Sequence, residues 1–297
     1  MPPDLDLDLV RSFVVVAEQQ NLGRAAATRH LTSSSLSRQI SRLEQQVGAR
    51  LLNRSPRGTT LTQAGQVFLP LAQALLQSAA EACARARTAA EPNRITIGYT
   101  VNIVITPAVR ALRRLYPDAD VRTLYLEWNE SRTALLEHRV DATVSRLPFA
   151  TDLLTVTVLY DEPRVLLVPR EHRLAGRESV TIADIADEPV PRAIDPAWNA
   201  FWRIDPRPDG SRAPDGPFID TVEDMVELVA SGRAVAILPA SVPVSSVRPD
   251  LTTIPLLGVE PGHVVLATRR GQYNPLAKAF GDCARNNLAG PAFRNPA

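Results

Sequence analysis

The sequence predicts two fold classes in tandem: an all-helical head with a short β-wing, one long helix, and an α/β part built as two lobes. Three observations predict it. The chain has 297 residues, 45% apolar and 22% charged, enough for about two domains with sizeable cores. Proline divides it: only Pro2, Pro3, Pro56 and Pro70 fall in the first 90 residues, and the other 21 lie beyond. The apolar pattern also changes near residue 94, from helical spacing to alternating strand-like and helical runs.

Leu5, Leu9, Phe13, Val16 and Ala17 recur at helical spacing and predict a first helix over 6–19, broken by Asn21 and Gly23. An alanine-rich helix follows over 24–30. Leu31-Thr32-Ser33 reads as a turn with an N-cap candidate. A third helix over 34–47 puts Leu36, Ile40, Leu43 and Val47 on one face, with Gly48 placed to end it. Extended runs at 50–54 and 59–61 around Ser55-Pro56-Arg57-Gly58 predict a hairpin. Thr62 caps a long helix over 63–90, and Pro70 inside it makes a kink the expectation to check. Val67, Leu71, Leu75, Ala79, Ala82 and Ala86 form a stripe too long for a small head to cover, so pairing with a second copy is expected.

From 94 onward, strands are expected at 95–99, 121–126, 142–145, 156–160, 163–168, 218–220, 234–238 and 264–268. Helices are expected at 103–116, 131–138, 182–186, 197–203, 222–231 and 275–287. This alternation argues for parallel sheets in two α/β lobes. The chain is expected to cross between lobes near Val168 and return near Leu266, with a ligand held between them.

Composition excludes several classes. A net charge of +1 excludes a polycationic tail and an acidic disordered chain. Cys83 and Cys283 lie too far apart in sequence for a disulfide-stapled scaffold or a paired redox switch. No stretch reads as the ~20 apolar residues of a membrane span, and the acidic N-terminus has no apolar core of a signal peptide. A cytoplasmic protein without membrane contact is the expectation. His30, His138, His172 and His263 lack metal-ligand spacing, and Asp141 and Glu223 pair with no evident nucleophile. The serines at 33–37 have no Gly-x-Ser-x-Gly frame, and there is no phosphate-binding glycine loop. Neither metal, cofactor nor catalysis is therefore expected.

Charge is unevenly placed. Residues 1–90 carry +4 and the rest −3; within 21–60, seven arginines face Glu44 alone. Such a segment fits a polyanion partner, or equally a solvated basic face. The spacing of 24–30, 31–33 and 34–47 is that of a helix-turn-helix. Thr32, Ser33, Ser34, Ser35, Ser37, Arg38 and Arg42 give its second helix donors for phosphates and base edges, and Arg54 and Arg57 on the hairpin are placed to grip flanking phosphates.

Arg24-Ala25-Ala26, Leu36-Ser37-Arg38-Gln39-Ile40, Arg42-Leu43-Glu44, Gly48-Ala49-Arg50-Leu51-Leu52, Arg54 and Leu61-Thr62-Gln63-Ala64-Gly65 together resemble the LysR-type transcriptional regulators. Ile97-Gly98, Pro107, Asp141-Ala142, Leu174-Ala175-Gly176 and Val229-Ala230-Ser231-Gly232 extend the likeness. The resemblance implies a winged helix-turn-helix domain over 1–62, a linker helix over 63–92 and a two-lobed, periplasmic-binding-protein-like effector domain over 93–297. Its first lobe would be 93–166 with 267–297, and its second 167–266. It implies homodimers or homotetramers on double-stranded promoter DNA, switched by a small molecule and contacting RNA polymerase. The sequence departs from the family pattern in the Ser33-Ser34-Ser35 turn and at Gly23, where the usual Thr or Ser cap is absent.

Effector candidates sit at strand ends. Thr100, Val101 and Asn102 suit a carboxylate, or else cap the helix that follows. Trp128 ends the second strand. Arg146 pairs with an anionic effector or with a surface carboxylate. Phe201 and Trp202 wall the cleft or pack in the core; Thr221 binds ligand or caps its helix. The family resemblance, with one candidate arginine in a two-lobed cleft, makes a small organic anion the expected effector. A solute-binding protein, an α/β enzyme and an architectural DNA binder are the competing readings; the basic 21–60 segment argues against the first and the missing catalytic constellation against the second.

Overall fold

The computed structural model describes residues 4–55, 58–243, 248–288 and 290, and divides into two compact units, Met1–Arg87 and Thr88–Ala297. The first opens with α1 (Leu7–Gln19), α2 (Leu22–Thr28) and α3 (Ser33–Val47). Each helix is capped by its own sequence. Asp6 accepts from the Asp8 N–H, Asn21 from Arg24 (3.0 Å) and Thr32 from Ser35 (3.2 Å). Asn21 thus supplies the cap that Gly23 was expected to forfeit. Gly48 ends α3 at φ +76°, a conformation that costs other residues strain.

Leu36, Ile40 and Leu43 of α3 are fully buried with Val10, Phe13, Val16 and Leu51, leaving the opposite face of α3 to solvent. Burying each of these large apolar side chains contributes about 1.5–3 kcal/mol. The antiparallel hairpin β1 (Leu52–Ser55) and β2 (Gly58–Leu61) pairs Leu52 with Leu61. Then α4 (Gln63–Ala90) begins at Thr62, whose hydroxyl oxygen accepts from the Gly65 N–H (3.0 Å) and donates to the Arg50 carbonyl (2.7 Å). Helix assignment is unbroken through Pro70.

One expectation about α4 is corrected. Its segment Gln63–Arg87, with mean hydropathy 1.3, is long and apolar enough to cross a membrane by length and composition. The cause is its content of alanine and leucine, with few charges. Phe68, Leu69, Ala72 and Leu76 on this helix pack into the head's core, whereas Val67 and Leu71 are more than 60% exposed and Leu75 is 38% exposed.

The second unit has two sheets with separate cores. The first runs β4-β3-β5-β12-β6, from β3 (Arg94–Thr100), β4 (Asp120–Leu126), β5 (Ala142–Arg146), β6 (Leu154–Glu162) and β12 (Gly262–Arg269). On it pack α5 (Thr106–Leu115), α6 (Ser131–Leu136) and α9 (Pro275–Asn287). Ile95, Ile97, Val144, Leu112 and Phe280 are central to its main core. The second sheet runs β10-β7-β11, from β7 (Arg164–Pro169), β10 (Ala236–Pro239) and β11 (Leu251–Pro255). Alternate residues of β7 enter two cores: Leu166 and Val168 face one, Val165 and Leu167 the other. A small pair, β8 (Val190–Arg192) and β9 (Asp215–Phe218), the short α7 (Pro196–Trp198) and α8 (Val222–Ala230) complete the second lobe.

Three sequence expectations change here. The sheets are not parallel throughout: β3 pairs parallel with β4 and β5, but β12 is antiparallel to both neighbours, as are all pairs around β7. β12 enters this sheet directly from the second lobe with no helix between β11 and β12, so no crossover sets it parallel to β5 or β6. The lobe boundaries also move. All of β7 belongs to the second lobe and all of β12 to the first, so the chain crosses at Pro163 and returns within 257–261, before 166/167 and 266/267. Pro163 has no N–H with which to continue a ladder. Finally, the helix expected over 103–116 starts at Thr106, 182–186 is one 3-10 turn, and 199–203 closes as a π-turn.

Candidate nucleic-acid interface and ligand cleft

The exposed face of α3 carries Ser34, Arg38 and Arg42 at successive helical turns, with Thr32 and Ser33 exposed at its N-terminal end. Ser35 and Ser37 are half-buried at its margins. Thr32 and Ser34 share a hydroxyl contact of 3.1 Å, and Arg38 Nε donates to the Ser34 carbonyl at 3.4 Å. Not all the basic charge is available to a partner. Arg29 pairs with Asp8 at 2.5 Å, and Arg24 donates to the Gln19 carbonyl at 2.8 Å. Glu44, the segment's single acid, accepts from the N–H groups of Leu51 (2.8 Å) and Leu52 (3.2 Å). It therefore locks the hairpin to the back of α3. Arg54 is placed on β1 by its backbone; its side chain, and Arg57 entirely, lie outside the described residues. Sequence reading passed over Ser41 and Gln45, which are exposed on α3 beyond Arg38; their helical spacing from Arg38 was the available signal.

In the second unit the two lobes enclose a cleft of about 730 Å³ including its open mouth. Seven of the eight expected residues line it: Thr100, Val101, Asn102, Trp128, Arg146, Trp202 and Thr221. Thr100 ends β3, and Asn102 turns the chain at φ +56°. Neither caps α5, which has Ile105 at its N-cap and no side-chain cap there. Thr221 does cap α8, accepting from the Asp224 N–H at 3.1 Å. Trp128 Nε1 donates across the lobes to the Asp220 carbonyl (3.2 Å), and its ring packs 5.5 Å from that of Trp198.

Two of these candidates are corrected by their surroundings. Arg146 presents no free guanidinium. It grips buried Glu162 through Nε (2.7 Å) and Nη2 (3.2 Å), and donates to the Val101 carbonyl (2.7 Å) and the Ser241 hydroxyl (3.1 Å). The carboxylate expected from an effector is supplied by the protein itself, with the Ser241 hydroxyl donating to it at 2.6 Å. Phe201 does not line the cleft. Its ring lies under the Arg164 guanidinium (4.2 Å) and edge-on to Trp202 (5.1 Å). Burial pushes Arg164 down to about 10, so it remains charged at neutral pH while donating to the carbonyls of Glu260 (2.5 Å) and Phe201 (2.7 Å). Trp202, expected at the wall with Phe201, does line the cleft, together with Trp198, Ile219, Met225 and Leu238. The aromatic segment 198–202 announced the wall; which ring faces inward depends on the π-turn, which has no sequence signature.

Cys283 is buried in the first lobe's core, and its thiol is pushed up by that burial. Among the described residues no group of three His, Cys, Asp or Glu side chains is placed to hold a metal.

Comparison with known proteins joins the two sites. Residues 7–66 match the bacterial regulatory helix-turn-helix protein, lysR family, and residues 88–289 match the LysR substrate binding domain. The chain belongs to the LysR family. It carries both the family's helix-turn-helix head and its substrate-binding domain, as LysR-type transcriptional regulators do. It is 36% identical over 195 residues to the HTH-type transcriptional regulator YnfL of Escherichia coli (strain K12), a match spanning 63% of this chain and 65% of that one. It is 27% identical over 286 residues to the HTH-type transcriptional regulator AlsR of Bacillus subtilis (strain 168), covering 93% and 94%. The crystal structure of full-length CbnR complexed with its target DNA shares the fold, with a TM-score of 0.52 and 23% identity over 95% of this chain and 99% of that one.

Proposed function

We propose that this LysR-family chain is a non-catalytic, cytoplasmic regulator that binds promoter dyad sites as a homodimer or homotetramer, and that a small organic molecule in the interlobe cleft changes its effect on transcription by RNA polymerase. The observation that carries the reading is the two-sided character of α3. Leu36, Ile40 and Leu43 are fully buried, while Arg38 and Arg42 project on the other side one turn apart. A rigidly seated helix with arginines outward is what major-groove reading needs. Thr32, Ser33, Ser34, Ser35 and Ser37 position it through phosphates, with Arg54 and Arg57 on the wing. The exposed Val67, Leu71 and Leu75 on α4 supply an apolar stripe for pairing two heads.

In the cleft, Thr100, Val101, Asn102, Trp128 and Thr221 contact the effector. It switches the protein only through different affinities for two lobe arrangements. The test is DNA affinity across a salt series. The wild-type chain is expected to lose affinity steeply with salt, and Arg38→Ala to weaken binding, by about 1–3 kcal/mol if Arg38 reads a base. An Arg38→Ala chain that binds as wild type at every salt concentration removes α3 from the interface.

A further inference from the structure

We propose that the cleft is built for a flat, ring-bearing, largely apolar effector that carries at most one negative charge, held against the indoles of Trp128 and Trp198. The proposal rests on reading the interlobe cleft as the effector site and adds the chemical class of its occupant.

The chain has three tryptophans, and all three line this one cleft. They come from both walls. Trp128 follows β4 in the first lobe, whereas Trp198 and Trp202 belong to the second. The Trp128 and Trp198 rings stand 5.5 Å apart at 51°, and the polar edge of Trp128 is satisfied by the Asp220 carbonyl. With that edge occupied, Trp128 offers a ligand its ring face, which favours stacking on another ring. Ile219, Met225 and Leu238 extend the apolar wall; methionine sulfur adds an adaptable contact for ring edges.

Charge sets the second limit. Among the described residues Arg146 is the one charged residue in the lining, and Glu162 neutralises it, with the two side chains 9% and 1% exposed. Toward the mouth, Arg248 is held by Glu227 (2.5 Å) and Asp250 (2.9 Å). Among the described residues, the cations a dianion meets here, Arg146 and Arg248, are already paired, so it loses hydration without a charge to compensate it. The polar anchors left at the end of β3, Thr100 and Asn102, are neutral; they suit one hydroxyl, carbonyl or carboxylate on the rim of a ring.

The experiment uses the full chain and its own tryptophans. Because every tryptophan lines the cleft, intrinsic fluorescence excited at the red edge of indole absorption reports its occupancy. Three probes are titrated: phenol, a neutral ring; benzoate, a ring with one charge; and adipate, two charges and no ring. Saturable responses to phenol or benzoate at millimolar concentration or below, with none to adipate, are expected. Trp198→Ala is expected to weaken the ring probes about tenfold, and Trp198→Phe to restore them, with each variant titrated well below its own unfolding temperature because Trp198 also packs against the second lobe's cores. Saturation by adipate but not by the rings overturns the class while leaving the cleft a binding site. The absence of a saturable response to either ring probe also overturns it. Ring probes that saturate fluorescence yet leave DNA retention unchanged uphold the class and count against the effector reading instead.

Discussion

Glu44 shows how one residue converts sequence into a binding surface. It is the only acid among the seven arginines of 21–60, and its carboxylate is spent on two backbone N–H groups at the start of the wing. Removing it raises the head's positive charge but leaves those donors without their partner, at about 1–3 kcal/mol for each that stays unsatisfied. Glu44→Ala is therefore expected to lower stability in denaturant unfolding and to weaken DNA binding. If charge alone governed affinity, the same variant would bind more tightly. A second residue gives a pH dependence. Burial acts to raise the Asp205 carboxyl, but hydrogen bonds from Arg212 and Ala213 and the charge of Arg203 outweigh it and hold it below its ordinary value of 3.8. A carboxylate lowered on folding contributes stability above its unfolded value, and that contribution is lost as pH falls through the folded one. Thermal melts are thus expected to show an acid limb below about pH 4 that flattens in Asp205→Asn. The variant also unpairs buried Arg203 in part, at the lower end of the roughly 3–5 kcal/mol for breaking a buried pair, since Asp215 still holds Arg203 at 2.9 Å. An unchanged acid limb in that variant contradicts the assignment.

At the scale of elements, Thr32 joins the turn to α3 by accepting from the Ser35 N–H. Thr32→Ala is expected to cost about 1 kcal/mol, read as a shift in the denaturant midpoint with unchanged m-value; no shift would show the cap to be idle. Long elements were legible in the sequence because periodicity accumulates with length. The bounds 63–90 and 275–287 are those observed for α4 and α9. Short ones were legible only where a turn or a flanking helix marked them, as at β1, β2, β5 and β10; β8 and β11 had no such marker and too few alternations to stand out from loops. The start of α5 was misplaced because Ile103 and Ile105 look helical in pattern but are buried as part of the turn from β3. In the cleft, residues at strand ends were legible from the general placement of ligands in α/β lobes. The partner of Arg146 was not, because Glu162 reaches it from β6 with β12 lying between their strands, a meeting that no spacing along the chain encodes.

At the scale of the whole molecule, one chain carries a helix-turn-helix head, a long helix and a two-lobed substrate-binding domain. Pairing is tested on α4. Leu71, 62% exposed, lies in the stripe Val67–Leu71–Leu75; Leu71→Asp places a charge in the proposed seam. Sedimentation is expected to shift toward monomer, and affinity for a two-half-site DNA to fall by far more than affinity for a single half-site, because the second contact is no longer intramolecular. An unchanged mass would move the dimer contact elsewhere. The central claim, sequence-specific binding by this head, is tested most directly by incubating the full chain with sheared DNA from its own source at near-physiological salt and sequencing what it retains. Enrichment of a few sites that share a dyad, lost in Arg38→Ala, is expected. Uniform retention across the DNA, unchanged by that substitution, would contradict it.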